Sequence, residues 1–363
     1  MLIGGMFDID VTHALTEPVN NQFEFPCDTK GEYVDKVYTN NGRTATVYAL
    51  KSMSIQGKVL VPEYTCVSVL NVLQAVGTEF EMYRIKENFA IDLEDLENKM
   101  QRSVQAIYVI HYFGIPQPQS VMERIKNLAE QYHLIVIEDL TQSLLSDIPK
   151  RIGIGDMLVA STRKWFPMSD GGVVAFRKGV DRKTVPLASA YDEAVYTQMF
   201  LAVARNYYGE AEAYEKYPEI ERYANAKRYL DFTPRAMTDI SRRIFFQSNI
   251  KSLMENRRLN FNYLYDSNKL NIKEKEWINN NANKVVSFGI PANINNFSKN
   301  GSGVFYDFTS DLESEYKLNI NDNTYNTFDN SLGFYITNKE SANDLLFYKD
   351  FYVLVSKDDK VIT

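Results

Sequence analysis

Histidine, cysteine and tryptophan are scarce in this chain of 363 residues, with three, two and two copies respectively. The cysteines, Cys27 and Cys66, are too few for a disulfide framework and suit a reducing compartment. His13, His111 and His133 stand far apart, with no Cys/His cluster, so no metal site is expected. Positive charge is also short. Lys and Arg number 40 against 47 Asp and Glu, for a formal net charge of −7. Non-specific nucleic-acid binding neutralises phosphates with basic side chains, so this balance argues against a nucleic-acid partner. An anionic small molecule stays open, because local charge differs from the net. Long apolar runs are missing too: the longest, Ala106 to Ile115, is interrupted by His111 and is too short to span a bilayer. The start, MLIGGMFDID, has no basic stretch followed by an apolar core, so no signal peptide is read there. A cytoplasmic location without a membrane partner is expected.

What is present describes a globular protein, with 45% hydrophobic and 24% charged residues. The length suits one large domain and a smaller one. After forty residues with little signal beyond the Gly4-Gly5 turn, helices and strands alternate. Helical spacing covers Arg43 to Ser54, Cys66 to Ala75 and Leu93 to Met100; Val121, Ile125, Leu128, Ala129 and Tyr132 share one helical face. Strand-like runs are Lys58 to Val61, Thr78 to Tyr83, Gln105 to Ile110, Leu134 to Ile137, Met157 to Ala160 and Val173 to Phe176. This alternation predicts an α/β fold, a mostly parallel sheet flanked by helices. From about Val180 the pattern turns helical, with one long helix expected over Ile240 to Tyr265. Beyond Asp266 clustered Asn and short runs (Lys284 to Phe288, Gly333 to Ile336, Phe351 to Val355) predict a small α+β domain. The expected division is a large domain over 1–235 and a small one over 236–363.

Four segments carry chemistry. Asp139 follows a strand buried on both faces, where open α/β sheets place their ligands; alternatively Glu138 or Asp139 caps a helix starting at Leu140. Lys164 lies in a loop between two strands, closed by Gly171-Gly172 and flanked by Trp165, Phe166 and Pro167. Partial burial there would lower the amine pKa and make it a nucleophile, whereas a solvated loop lysine would be inert. Asn40-Asn41-Gly42-Arg43-Thr44 opens a helix and offers free N–H groups to an anion, or Thr44 simply caps it. Pro62-Glu63-Tyr64-Thr65-Cys66 occupies the next strand-to-helix junction. A dinucleotide fingerprint is excluded: Ile152-Gly153-Ile154-Gly155-Asp156 lacks the third glycine and comes too late in the chain.

In this order the segments resemble the DegT/StrS-type sugar aminotransferases, pyridoxal phosphate (PLP) enzymes of fold type I that aminate nucleotide-linked keto-sugars. The likeness runs from about Gly42 to Phe176. It rests on Gly42-Arg43-Thr44-Ala45, on His111-Tyr112-Phe113-Gly114, on Val136-Ile137-Glu138-Asp139-Leu140-Thr141-Gln142, and on Ser161-Thr162-Arg163-Lys164 leading to Ser169-Asp170-Gly171-Gly172. The resemblance implies a large PLP-transferase-like domain with Lys164 bound to the cofactor aldehyde and serving as acid and base. It implies Asp139 on the pyridine nitrogen, Gln142 at the ring face or its 3-hydroxyl, and Gly42, Arg43, Thr44 and Ser161 on the phosphate. Tyr64, Thr65 and His111 complete the expected cofactor-binding set. A keto-sugar acceptor, glutamate as donor and a homodimer follow from the resemblance as well. Two departures stand out. Cys66 holds the place of the family's stacking aromatic, and Thr233-Pro234-Arg235-Ala236-Met237-Thr238-Asp239 replaces a motif that reaches into the partner's site. The alternatives are a PLP transaminase of another small keto substrate and a PLP-fold protein that has lost turnover.

Overall fold

Runs of β-branched and aliphatic residues build the sheet on which everything else is placed. The computed structural model describes residues 23–86, 88–146, 153–208, 216–217, 231–266 and five strands between 319 and 362. The Gly4-Gly5 turn and the Lys284 to Phe288 run lie outside the described residues. In chain order come β1 (Tyr33–Thr39), α1 (Gly42–Ser52), β2 (Lys58–Pro62), α2 (Val67–Ala75), β3 (Phe80–Tyr83) and α3 (Leu93–Asn98). They are followed by β4 (Val104–Ile110), α4 (Gln119–Tyr132), β5 (Ile135–Asp139), β6 (Met157–Ala160) and β7 (Gly172–Arg177). The seven strands form one sheet in the order β1-β7-β6-β5-β4-β2-β3. Contacts from β3 through β6 are parallel, and β7 runs antiparallel to both its neighbours, β6 and β1.

Successive strand residues point to opposite faces, and the two faces fill differently. Tyr108, Ile110 and Ile137 pack with Ala45, Ala49 and Val72 of α1 and α2. Ile107, Val109 and Val136 pack with Met122, Ile125 and Leu128 of α4 on the other side. Burial of each large apolar side chain is worth about 1.5–3 kcal/mol, so both layers hold the sheet firmly.

A third cluster joins Phe23, Phe25, Trp165 and Phe166 to Ile244, Phe245 and Phe246. The last three belong to α6 (Asp239–Gln247), which follows α5 (Glu193–Tyr208) and precedes α7 (Ile250–Asp266). The Phe245 ring lies 4.8 Å from that of Phe166, so α6, just beyond the expected boundary at 235, packs into the same core as the sheet. The single helix expected over Ile240 to Tyr265 is two helices. Ser248 is extended (φ −63°, ψ 133°), and Asn249 restarts the helix by accepting the Ser252 N–H at 3.0 Å. Further on, Asn319–Tyr325 pairs with Phe334–Thr337, and Leu345–Tyr348, Tyr352–Lys357 and Lys360–Ile362 form an antiparallel sheet. No described helix is long and apolar enough to cross a membrane.

Candidate active site

Neighbouring parallel strands bring their carboxyl ends to one rim of the sheet. Asp139 ends β5, in register with Ile110 of β4 and Val159 of β6. No helix starts at Leu140. Residues 141–145 form turns, and Asp139 Oδ1 accepts the Thr141 N–H at 2.7 Å, the local turn that aspartate favours. The other oxygen, Oδ2, accepts the Tyr108 hydroxyl at 2.6 Å. Burial pushes the Tyr108 phenol well above its usual range, and the charge of Asp139 adds to the rise, so Tyr108 stays a donor.

Lys164 closes a short 3₁₀ turn, Thr162–Lys164, directly after β6 and Ser161. Three contacts fix this loop. The Thr141 hydroxyl accepts the Ser161 N–H at 3.1 Å. The indole of buried Trp165 donates to the Thr141 carbonyl at 2.8 Å, with Arg257 4.5 Å over its ring. Buried Asp170 accepts both the N–H (2.8 Å) and the hydroxyl (2.7 Å) of Thr238. Gly171, at φ +149°, then turns the chain into β7 in a conformation that disfavours a side chain.

The third element is the start of α1. Asn41 caps it by accepting the Thr44 N–H at 3.0 Å, and the Thr44 side chain returns the contact to the Asn41 N–H. Gly42 lies so close to the lysine loop that an added Cβ would stand 2.9 Å from Ser161 Cβ. The helix N-terminus is thereby held against Ser161.

These elements surround one solvent-open cleft. Gly42, Arg43, Asp139, Ser161 and Lys164 all line it, so the amine and the carboxylate share a single cavity. Asn41, Thr46, Cys66, Ser68, Tyr108, Thr141 and Arg163 line it as well, beside the apolar Val69, Val72, Val159 and Ala160. Three cationic side chains and a helix N-terminus against one carboxylate suit an anionic ligand. Among the described residues no group of His, Cys, Asp and Glu is placed to hold a metal ion.

Five expected cofactor contacts point elsewhere. Thr44 is wholly buried in the cap, its hydroxyl donating to Asn40 Oδ1 at 2.7 Å. Tyr64 packs behind the cleft on Phe89 and Tyr112, with ring centres 5.6 and 5.3 Å away. Thr65 is buried beside it and does not reach the lining. Gln142 accepts the Phe113 N–H at 3.0 Å. His111 faces the opposite side of the sheet, its Nε2 2.9 Å from Glu138 Oε2 and its Nδ1 accepting the Gln117 N–H at 3.0 Å. Glu138 also takes the N–H groups of Gly153 (2.9 Å), Ile154 (2.6 Å) and Gly155. The glycine pair thus wraps a buried carboxylate. In the altered segment, Arg235 pairs with Asp231 at 3.0 Å, and its neighbour Ala236 bridges to Thr39.

Sequence reasoning missed Tyr108 and Thr141. Alternation could have found the first, since Tyr108 and Ile110 share a face and Ile110 sits opposite Asp139. The same rule sends His111 to the face of Val109 and Glu138.

Residues 14–189 match the model of the DegT/DnrJ/EryC1/StrS aminotransferase family. Over 183 residues the chain is 28% identical to GDP-perosamine synthase of Escherichia coli O157:H7, covering 48% of this chain and 47% of that protein. An uncharacterised protein of Methanocaldococcus jannaschii is 32% identical over 142 residues, covering 37% of this chain and 36% of its own length. The chain therefore spans about half or less of the curated relatives it matches. Among solved structures, the aminotransferase TlmJ from Streptoalloteichus hindustanus overlaps 67% of this chain and 60% of its own, at a TM-score of 0.44 and 17% identity. The aminotransferase from Psychrobacter cryohalolentis overlaps 65% and 57%, at a TM-score of 0.44 and 18% identity.

Proposed function

From the match of residues 14–189 to the model of the DegT/DnrJ/EryC1/StrS aminotransferase family, we propose that this chain is a PLP-dependent aminotransferase that moves an amino group onto a keto-sugar. The observation that carries the reading is the shared cleft: a lysine, a buried-strand carboxylate and a helix N-terminus all line it. This donor set fits PLP, a flat ring with a phosphate at one end and a basic nitrogen at the other. Gly42 and Arg43, with Ser161 pressed against them, would hold the phosphate through backbone N–H groups and hydroxyl. Asp139 would sit at the ring nitrogen. When bound, the cofactor supplies an electron sink for the substrate carbon, which the protein favours by keeping that nitrogen protonated. Lys164 Nζ would anchor the group and afterwards move a proton between the substrate carbon that carries the nitrogen and the cofactor's aldehyde carbon, a task that a pre-positioned amine performs well. Among the described residues Tyr108 is the one aromatic side chain that lines the cleft, beside Cys66 and Val69.

The sugar acceptor is supported by the family and by GDP-perosamine synthase, a relative whose name carries a GDP-linked sugar. The excess of Arg43, Arg163 and Lys164 over Asp139 in the lining agrees with an acceptor bearing phosphates and with a dicarboxylic donor such as glutamate. The working unit is a homodimer in the cytoplasm.

The test is spectroscopic. Full-length protein mixed with PLP should turn yellow, and glutamate should bleach the colour as the amino group transfers. Lys164→Ala should stay colourless with an unchanged far-UV circular dichroism spectrum. Wild-type protein that takes up no PLP, or a yellow Lys164→Ala protein, contradicts the proposal.

A further inference from the structure

Asp139 is held from two sides at once. Its Oδ1 takes the Thr141 N–H at 2.7 Å, and its Oδ2 takes the Tyr108 hydroxyl at 2.6 Å. Tyr108 is 1% exposed. It stands on β4, two residues before Ile110, the register partner of Asp139, and reaches Asp139 across the strand pair on the cleft face. Both the phenol and the carboxylate line the cleft. The Thr46 hydroxyl, also in the lining, donates to the Gly42 carbonyl at 3.0 Å.

We propose that Tyr108 is a positioning residue: its hydroxyl fixes the plane of the Asp139 carboxylate and presents it to the cofactor nitrogen in one orientation. This inference rests on the PLP reading above. A carboxylate with a single donor from the adjacent turn could rotate about its side-chain bonds. Two donors, one from the turn after β5 and one from β4, fix both oxygens, and hydrogen bonds to a charged acceptor are the strong ones. A packing ring would account for the burial of Tyr108 but not for the placement of its hydroxyl, and phenylalanine separates the two roles because it keeps the ring.

The experiment is a double-mutant cycle on the full chain with PLP as the probe, using Tyr108→Phe, Asp139→Asn and the double variant. Tyr108→Phe should weaken PLP binding and lower kcat, each by roughly tenfold. KM for glutamate should stay within about twofold, since the lost contact is to the carboxylate and not to the donor. The visible cofactor band should shift, and the melting temperature should hardly change. In the Asp139→Asn background the second substitution should add nothing, because Tyr108 acts through Asp139. Additive losses, or a Tyr108→Phe protein with unchanged affinity and band, overturn the inference while leaving the PLP reading in place. Wild-type protein that binds no PLP overturns both.

Discussion

Glu138→Gln removes one acceptor oxygen from a carboxylate that the fold surrounds with four donors. Oε1 takes the N–H groups of Ile154 and Gly155; Oε2 takes Gly153 N–H and His111 Nε2. The imidazole has no escape by changing tautomer, because its Nδ1 already accepts from Gln117. A glutamine amide oxygen can serve one pair of donors, but its NH₂ then faces the other pair. With Glu138 and His111 both fully buried, water cannot step in. Each stranded donor costs about 1–3 kcal/mol. Against a usual native stability of about 5–15 kcal/mol, Glu138→Gln should lower the urea midpoint clearly. Glu138→Leu should leave little folded protein. The dependence on pH has a definite sign. Burial alone would raise the Glu138 carboxyl, but the His111 hydrogen bond and the Gly153 and Gly155 N–H groups outweigh it and hold the group below its ordinary value of 4.5. The unfolded chain then binds the proton at higher pH than the native one. This contribution is complete above 4.5 and is lost as pH falls through the lower native value. Urea titrations between neutral pH and pH 4 should show wild-type stability dropping on the acid side and the Gln variant changing less. A Gln variant within about 0.5 kcal/mol of wild type at neutral pH would refute the reasoning.

Two further substitutions address how the site is held. Gly42→Ala puts a methyl 2.9 Å from Ser161 Cβ and 3.2 Å from its backbone. Such overpacking costs about 1–3 kcal/mol; PLP affinity by titration should fall more than the melting temperature, and an unaltered affinity would free Gly42 from the phosphate role. Thr238→Val deletes the hydroxyl that Asp170 accepts at 2.7 Å and the cap on α6, a loss of about 0.5–2 kcal/mol from the cap alone. Melting should come earlier and the lysine loop should become more open to proteolysis; a protein as stable as wild type would show that Asp170 does not need this anchor.

Much of the sheet was legible because buried parallel strands announce themselves as β-branched runs. Ile135–Asp139 and Met157–Ala160 lie within two residues of their expected bounds. β1 escaped notice, since its burial is mixed and it joins the sheet through the distant β7. The split between α6 and α7 had a signal in Ser248-Asn249, because Asn is a preferred cap and Ser bonds its own backbone. Motif order placed Gly42, Arg43, Asp139, Ser161 and Lys164 on one cleft, yet could not say which way a side chain points. His111 and Gln142 sit in the matching segment and face other partners. Direction depends on strand parity and on turns that form only when distant segments meet, as with the Trp165 indole on Thr141.

Borohydride reduction of the PLP-loaded protein, followed by peptide mapping, asks most directly whether the cleft uses its lysine. A pyridoxyl label on Lys164, lost in Lys164→Ala, is the expected result. A label on another lysine, or none on a protein that binds PLP, would contradict it.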